Sequence, residues 1–286
     1  MAEPEDLLSE SLQVLYDCAP VAHSSAGSVF TYTYPGLYTE KMTRSTSNPL
    51  LTITVRTPDT QAANWPLHAS SIWMSSLYMA DNLSELDLDR HIRVVVDRGE
   101  RLRVLELGAG AGLPGILNAR LYDDVEVVSS DYPDEELIRT LSDNIKQNEG
   151  PDRCRAVPYA WGSDPAILFT PSPKGASPLD PSFDVVIAAD TLWNSELHSL
   201  FIQTICSTLK RSTESRVYLV AGLHTGRYTI QAFLRAVSET GLEIETATEK
   251  EINGTTTRPW NVERDEETEK DRRRWVVWVV LRWGSL

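Results

Sequence analysis

A chain of 286 residues, 41% of them hydrophobic, can bury one substantial core, and single α/β domains run to about 250 residues, so one catalytic domain with an elaboration is expected. The formal net charge of -14 excludes a protein built to grip the phosphate backbone of nucleic acid, which needs clustered Lys and Arg; a basic or amine-bearing substrate fits that balance, and so does simple solubility. Cys18, Cys154 and Cys206 are too few and scattered for a disulfide framework, and neither they nor the five histidines form a metal-ligand pattern, so no metal is expected.

The chain opens Ala2-Glu3-Pro4-Glu5-Asp6, without the basic start and apolar stretch of a secretory signal, and the expected location is the cytoplasm, with the nucleus also open. Residues 29–34 and 51–57 are rich in β-branched and aromatic side chains with partial alternation, which predicts an N-terminal antiparallel pair. Residues 70–83 place Ile72, Trp73, Ser76, Leu77 and Ala80 at helical spacing. From Arg103 onward short apolar runs alternate with helical segments, the pattern of a doubly wound parallel sheet. The predicted strands are 104–107, 125–129, 185–188 and 217–221, and the predicted helices 114–121, 135–147, 197–209 and 229–240. Residues 242–248 and 275–281 follow as two strands expected to pair antiparallel, joined through the mixed-charge segment 261–273, which reads as a solvated connection. The run 275–281 is bracketed by Arg274 and Arg282 and is far shorter than the roughly 20 residues of a membrane helix, so it reads as a buried strand and no membrane partner is expected. Residues 162–182 hold five of the sixteen prolines and read as an inserted loop. The division expected is residues 1–66 as an N-terminal extension carrying the strand pair and 67–286 as the catalytic domain, acting as a monomer.

The chemistry begins at Leu105-Glu106-Leu107-Gly108-Ala109-Gly110-Ala111-Gly112-Leu113-Pro114-Gly115, a strand running into a glycine-rich turn and then a helix. Glycines there allow unusual dihedrals and let main chain approach a ligand without a Cβ. A dinucleotide fingerprint requires glycine three residues after Gly110, where Leu113 stands, which weakens a nicotinamide-cofactor reading. Asp131 ends the next strand, where a carboxylate can accept both ribose hydroxyls of an adenosine-containing cofactor. Ala189 ends the strand beside the turn and can border the same ligand. Asp190 follows it at the carboxyl end of a central strand, where open α/β sheets place their ligands, although it could instead cap the helix that starts near Ser195.

In four places the sequence resembles the seven-stranded S-adenosylmethionine-dependent methyltransferases, and within them the branch of protein lysine and N-terminal methyltransferases: Trp73, Glu106 to Gly112, Asp131-Tyr132-Pro133-Asp134, and Asp190-Thr191-Leu192-Trp193-Asn194. The Asp-Tyr-Pro-Asp run with Asn194 and His198 is similar to the fungal nicotinamide N-methyltransferase-like subgroup, which includes an enzyme acting on the N-terminus of translation elongation factor 1-alpha. The resemblance implies a Rossmann-like seven-stranded sheet with a final antiparallel strand, and S-adenosyl-L-methionine as cofactor. It implies that Glu106, Gly108, Gly110 and Gly112 form the cofactor turn along the methionine half, that Asp131 holds the ribose, that Trp73 packs near the cofactor and that Trp161 lies against the adenine. Each tryptophan could equally be ordinary core. The branch's tetrapeptide has Asp followed by a Tyr or Phe, and Trp193 takes the aromatic place here, so Asp190, Trp193 and Asn194 are the candidate catalytic residues. His198 falls on a helix whose Leu197, Phe201 and Ile205 form an apolar face, so it can be a packed side chain.

The expected reaction is in-line displacement by a neutral nitrogen on the sulfonium methyl, with no protein nucleophile, resting on alignment and removal of solvent. A lysine, with a reference pKa of about 10.4, spends about 4 kcal/mol to be neutral near pH 7.4, and an α-amine under about 1 kcal/mol. A carboxylate at 190 suits either amine as its proton leaves and has little use for a pyridine nitrogen that is already neutral. The acceptor expected is therefore a protein amine, a lysine or N-terminus of a translation factor among the candidates, with a small-molecule amine as the alternative. Enzymes that methylate bases carry Asn or Asp followed by Pro-Pro and an aromatic; Asp190-Thr191-Leu192-Trp193 lacks both prolines, which excludes nucleic acid as the expected partner.

Overall fold

A computed structural model describes residues 21–36, 51–60, 62–148, 153–170, 181–264 and 267–284. Its centre is a sheet of five parallel strands, β5 (Leu102–Leu107), β6 (Val125–Asp131), β7 (Cys154–Pro158), β8 (Val185–Ala189) and β9 (Arg216–Gly222), in the spatial order β7-β6-β5-β8-β9. β12 (Trp275–Trp283) then runs antiparallel to β9, and β10 (Leu242–Glu251) antiparallel to β12. The expected doubly wound α/β architecture and the antiparallel final pair are both present. An eighth strand, β11 (Thr257–Pro259), adds to the β10 edge. The sheet thus has eight strands where seven were expected.

Strands covered on both faces are largely apolar in both directions, and all seven residues of β9 are buried. Successive side chains feed opposite cores. Val104, Val127 and Ile187 join one cluster with the helices α1 (Met74–Asp81) and α3 (Leu113–Leu121), whereas Leu105, Val128 and Val186 join a second with α6 (His198–Thr208) and α7 (Arg227–Ser238). α4 (Glu135–Gln147) starts where Asp134 Oδ1 accepts the Leu137 amide at 2.9 Å, a side-chain cap on a helix that begins with Glu135 and Glu136.

The N-terminal pair is β2 (Val29–Thr33) and β3 (Thr52–Arg56), antiparallel with Val29 opposite Arg56 and Thr33 opposite Thr52. Two asparagines one helical turn apart on and after α4 hold its edge. Asn144 accepts the Arg56 amide through Oδ1 and donates through Nδ2 to the Arg56 carbonyl, both at 2.8 Å; Asn148 does the same for Thr54 at 3.0 and 2.8 Å. The side-chain amides therefore imitate a neighbouring strand, which satisfies an edge that would otherwise be open.

The structure corrects the sequence expectations at several further elements. The helix over 70–83 begins at Met74, because Ile72–Trp73 is extended and pairs with Ala22–His23; these are β4 and β1. A helix, α2 (Leu88–Val96), occupies a stretch for which none was expected. β7 was also unforeseen, since its Arg155 and Pro158 interrupt the apolar run; as an edge strand it tolerates both. The proline-rich stretch contains the short helix α5 (Ala166–Phe169), and its residues 171–180 lie outside the described residues.

The connection over 261–273 is not simply solvated, and it includes α8 (Glu269–Arg272). Glu267 joins a buried ion network: Arg227 donates to Glu249 at 2.6 and 2.9 Å and to Glu267 at 2.6 and 3.0 Å, and Arg258 bonds both carboxylates. Burial alone would raise the pKa of Glu249, but the hydrogen bonds of Arg227 and the charges around it hold the carboxyl below its ordinary value. No helix among the described residues is long and apolar enough to cross a membrane.

Candidate active site

A cavity of about 390 Å³ opens at the carboxyl ends of β5, β6 and β8, where an open parallel sheet places its ligands. Ten of the residues picked from sequence line it: Trp73, Glu106, Gly108, Gly110, Asp131, Trp161, Ala189, Asp190, Trp193 and Asn194.

The glycine turn leaves β5 with φ of 68° at Gly108, 54° at Gly110 and 85° at Gly112, a conformation that side chains resist. A Cβ on Gly108 would stand 2.7 Å from Thr191 Cγ2, so the turn needs glycine there for space as well as for φ. Gly112, the eleventh of the residues picked from sequence, lies outside the lining. It caps α3 instead, and a Cβ there would meet Leu141 Cδ1 at 2.5 Å.

Asp131 ends β6 with both oxygens already engaged once: Oδ2 accepts the Gly110 amide at 2.6 Å and Oδ1 the Tyr132 amide at 2.7 Å. Each carboxylate oxygen has a second lone pair, so two more donors, such as a vicinal diol, can be accepted. Burial pushes this carboxyl up to about 6 against the pull of those two amides. Glu106 is fully buried within β5, accepting Ser129 Oγ–H at 2.6 Å and the Gly115 amide at 3.3 Å, and burial pushes it up to about 7. Gly115 is glycine because a Cβ would sit 2.2 Å from Glu106 Oε2.

Trp161 tilts against Phe201 with ring centroids 4.7 Å apart, and its Cζ2 edge stands over Gly108. Trp73, in extended conformation just before α1, donates its indole N–H to the His68 carbonyl at 2.7 Å. Trp193 meets the His68 ring edge to face at 5.0 Å.

Asp190 takes the left-handed conformation, φ 59°, directly after β8. Asp tolerates that region better than most side chains, but the conformation is strained and turns the carboxylate back toward the sheet. Its Oδ1 accepts the Gly222 amide at 3.2 Å, whereas Oδ2 is buried without a hydrogen-bond partner, 3.6 Å from His224 Nε2. Burial raises the pKa of this carboxyl; His224, Gly222 and Ser75 oppose the rise. The Ser75 hydroxyl is close enough to act electrostatically yet makes no hydrogen bond of normal geometry. The helix-capping alternative for Asp190 does not hold: Asn194 does the capping, its Oδ1 accepting the Glu196 amide at 3.0 Å. His198 is buried outside the cavity, its Nε2 against the Leu192 carbonyl at 3.0 Å and its ring against Phe233.

Sequence reasoning missed His68, Thr191, Tyr132 and Leu200 in the lining, and His224 just behind it. Thr191 and Tyr132 directly follow Asp190 and Asp131, a positional signal. His68 and His224 stand in short turns with no periodicity around them, and nothing in the sequence marks them.

A parallel sheet with an antiparallel strand inserted at its end, a glycine turn after the first central strand and an acid ending the second define a class I S-adenosylmethionine-dependent methyltransferase. The chain belongs to the lysine methyltransferase family, which it matches over residues 61–240. It is similar to proteins named protein N-terminal and lysine N-methyltransferase EFM7: 30% identical over 202 residues to that of Gibberella zeae, covering 66% of this chain and 71% of that one. The Candida albicans protein of the same name is 29% identical over 226 residues, 76% of this chain and 80% of the other. That of Schizosaccharomyces pombe is 35% identical over 151 residues, 52% and 56% of the two chains. The protein is an enzyme, and S-adenosylmethionine is its methyl donor.

Proposed function

We propose that this enzyme methylates a protein amine, a lysine side chain or an N-terminal α-amine, with a translation factor as the target class. The observation that carries the reading is the buried Asp190 carboxylate, one oxygen of which has no hydrogen-bond partner, at the wall of the cofactor cavity beside Trp73 and Trp193. A charged amine answers both features, since it donates to the unmatched oxygen and its cation favours aromatic faces. The names of the relatives, which specify N-terminal and lysine methylation, support the same class of acceptor.

The donor fits the residues present. Gly110 leaves its main chain open to a ligand, and the spare lone pairs of Asp131 suit a ribose diol. Trp161 would flank the base, Ala189 would border the cofactor opposite the turn, and Glu106 would face the methionine half from below. When bound, the cofactor supplies an electrophilic sulfonium methyl. The chain's residues then align the acceptor nitrogen, exclude water and favour loss of its proton at Asp190. An uncharged pyridine nitrogen has no use for that carboxylate, which separates this reading from nicotinamide-type methylation.

The test is incubation of the purified enzyme with radiolabelled cofactor and either whole or deproteinised cell extract. Label in a discrete protein band is expected. Label confined to a low-mass fraction would replace the protein acceptor by a small amine.

A further inference from the structure

His224 is an ionisable side chain beside Asp190 that amine methylation, as described, leaves without a task. It belongs to the turn Leu223–Thr225 that follows β9, and its placement is fixed from three sides. Its ring stacks on Trp73, centroids 5.5 Å apart and planes within 14° of parallel. Trp73 is itself locked by its indole bond to the His68 carbonyl. Gly222 supplies the space: a Cβ there would lie 2.3 Å from His224 Nδ1, so only glycine lets the ring occupy this spot. The same Gly222 donates its amide to Oδ1 of Asp190, which leaves Oδ2 aimed at His224 Nε2 across 3.6 Å. The side chain of His224 keeps 23% of its exposure and that of Asp190 only 4%, so the histidine is the member of the pair in touch with solvent.

We propose that His224 is a positioning residue for methyl transfer, one that orients the Asp190 carboxylate and, through it, takes up the proton that an ammonium acceptor must lose before it can attack. This rests on amine methylation as read above. In the step, an N–H bond of the acceptor breaks with its electron pair left on nitrogen, and the proton crosses Asp190 to Nε2 of a neutral imidazole that carries its hydrogen on Nδ1. The nitrogen pair then forms a bond to the methyl carbon as the carbon–sulfur bond breaks and sulfur keeps that pair. The imidazolium returns its proton to water from its exposed edge.

Among the described residues, the arginine and the acids nearest this turn are engaged elsewhere. Asp190 is the ionisable partner that faces His224 from β8. Arg227, at the start of α7, is consumed by Glu249 and Glu267. α8, packed on the same turn, carries two acids and two bases; Glu269 is paired with Arg273 and Asp271 is tied to Thr268.

The experiment compares wild type, His224→Ala, His224→Gln and Asp190→Asn on whichever amine acceptor takes label in the wild type, so a wrong acceptor class does not decide the role of the histidine. Loss of His224 is expected to lower kcat by about a hundredfold, the lower end of the range of acid–base assistance, and to change the acid limb of the kcat–pH profile. Cofactor dissociation constants should stay within about twofold, because His224 does not line the cavity. Added imidazole should restore part of the turnover of His224→Ala and none of that of Asp190→Asn. Unchanged kcat, an unaltered pH profile, or loss of turnover that imidazole does not relieve would each overturn the proposal. So would a parallel loss of cofactor binding and melting temperature, which is what a merely structural stacking role would produce.

Discussion

The Gly110 amide meets Asp131 Oδ2 at 2.6 Å, so the glycine turn and the end of the neighbouring strand are joined through one carboxylate before any ligand binds. Its second lone pairs are what a ribose can use. Asp131→Ala should weaken cofactor binding by more than about 1 kcal/mol through the loss of charge-assisted hydrogen bonds. Unchanged affinity by calorimetry would locate the ribose elsewhere.

The pH dependence of binding follows from the same group. Burial pushes Asp131 up to about 6, and the diol needs the ionised form as acceptor. The wild-type dissociation constant should therefore hold steady above about pH 7 and rise as pH falls through 6, approaching tenfold per unit. Asp131→Asn should bind weakly with a much flatter profile. A wild-type affinity level from pH 5 to 8 would sever the link between this carboxyl and the ligand.

Glu106 is a buried carboxyl raised to about 7, well above its unfolded value near 4.5. Because the folded state holds that proton more tightly, its contribution favours folding below about pH 4.5 and is lost as pH rises through 7. Glu106→Gln should accordingly stabilise the fold at pH 8, by about 3 kcal/mol at most, and do little at pH 5. It should also weaken cofactor binding, as expected where a strained group is retained for function. Thermal melts at the two pH values check the first claim; equal shifts at both would show that ionisation is not the cause.

Asp190→Asn is the cleanest probe of the acceptor side. Asparagine tolerates the left-handed backbone and can still accept the Gly222 amide, so the fold and cofactor binding should survive. Turnover should fall by at least about a hundredfold. Joint loss of turnover and cofactor binding would instead make Asp190 a structural strut.

The central sheet was readable because β5, β6, β8 and β9 each carry a short run of apolar, largely β-branched residues, and the glycine turn because glycine at 108 and 110 answers a local demand for positive φ. β7 escaped notice since Arg155 and Pro158 dilute a strand that owes its state to β6 rather than to its own pattern. Trp73 was placed at the site for a motif reason, yet its helical periodicity suggested α1 when it is in fact the extended residue that precedes it. The His68, Trp73, Trp193 and His224 rings come from three separate turns and a strand end, so their meeting around Asp190 is a product of tertiary folding with no local trace. Gly112 looked like the other two glycines of the turn, but it lies outside the cavity lining and caps α3.

Asn144 was legible as a position on α4 and illegible as a junction. Its side chain donates to the Arg56 carbonyl at 2.8 Å and to the Ala111 carbonyl at 2.9 Å, and accepts the Arg56 amide, so one buried amide ties the N-terminal hairpin to the cofactor turn. Replacing it by alanine strands a strand-edge amide and two carbonyls while leaving every apolar contact of the helix in place. About 2–4 kcal/mol of stability should be lost, since each unmet buried group costs about 1–3 kcal/mol and some regain water at the edge. Asn148→Ala, which touches only the hairpin among these partners, should cost less and spare the cofactor affinity that Asn144→Ala lowers. Hydrogen exchange at Thr54 and Arg56 should accelerate in both variants, while only the first also loosens the turn at Ala111. Equal effects on cofactor binding from the two substitutions would mean that the hairpin as a whole, and not this amide, holds the turn in place.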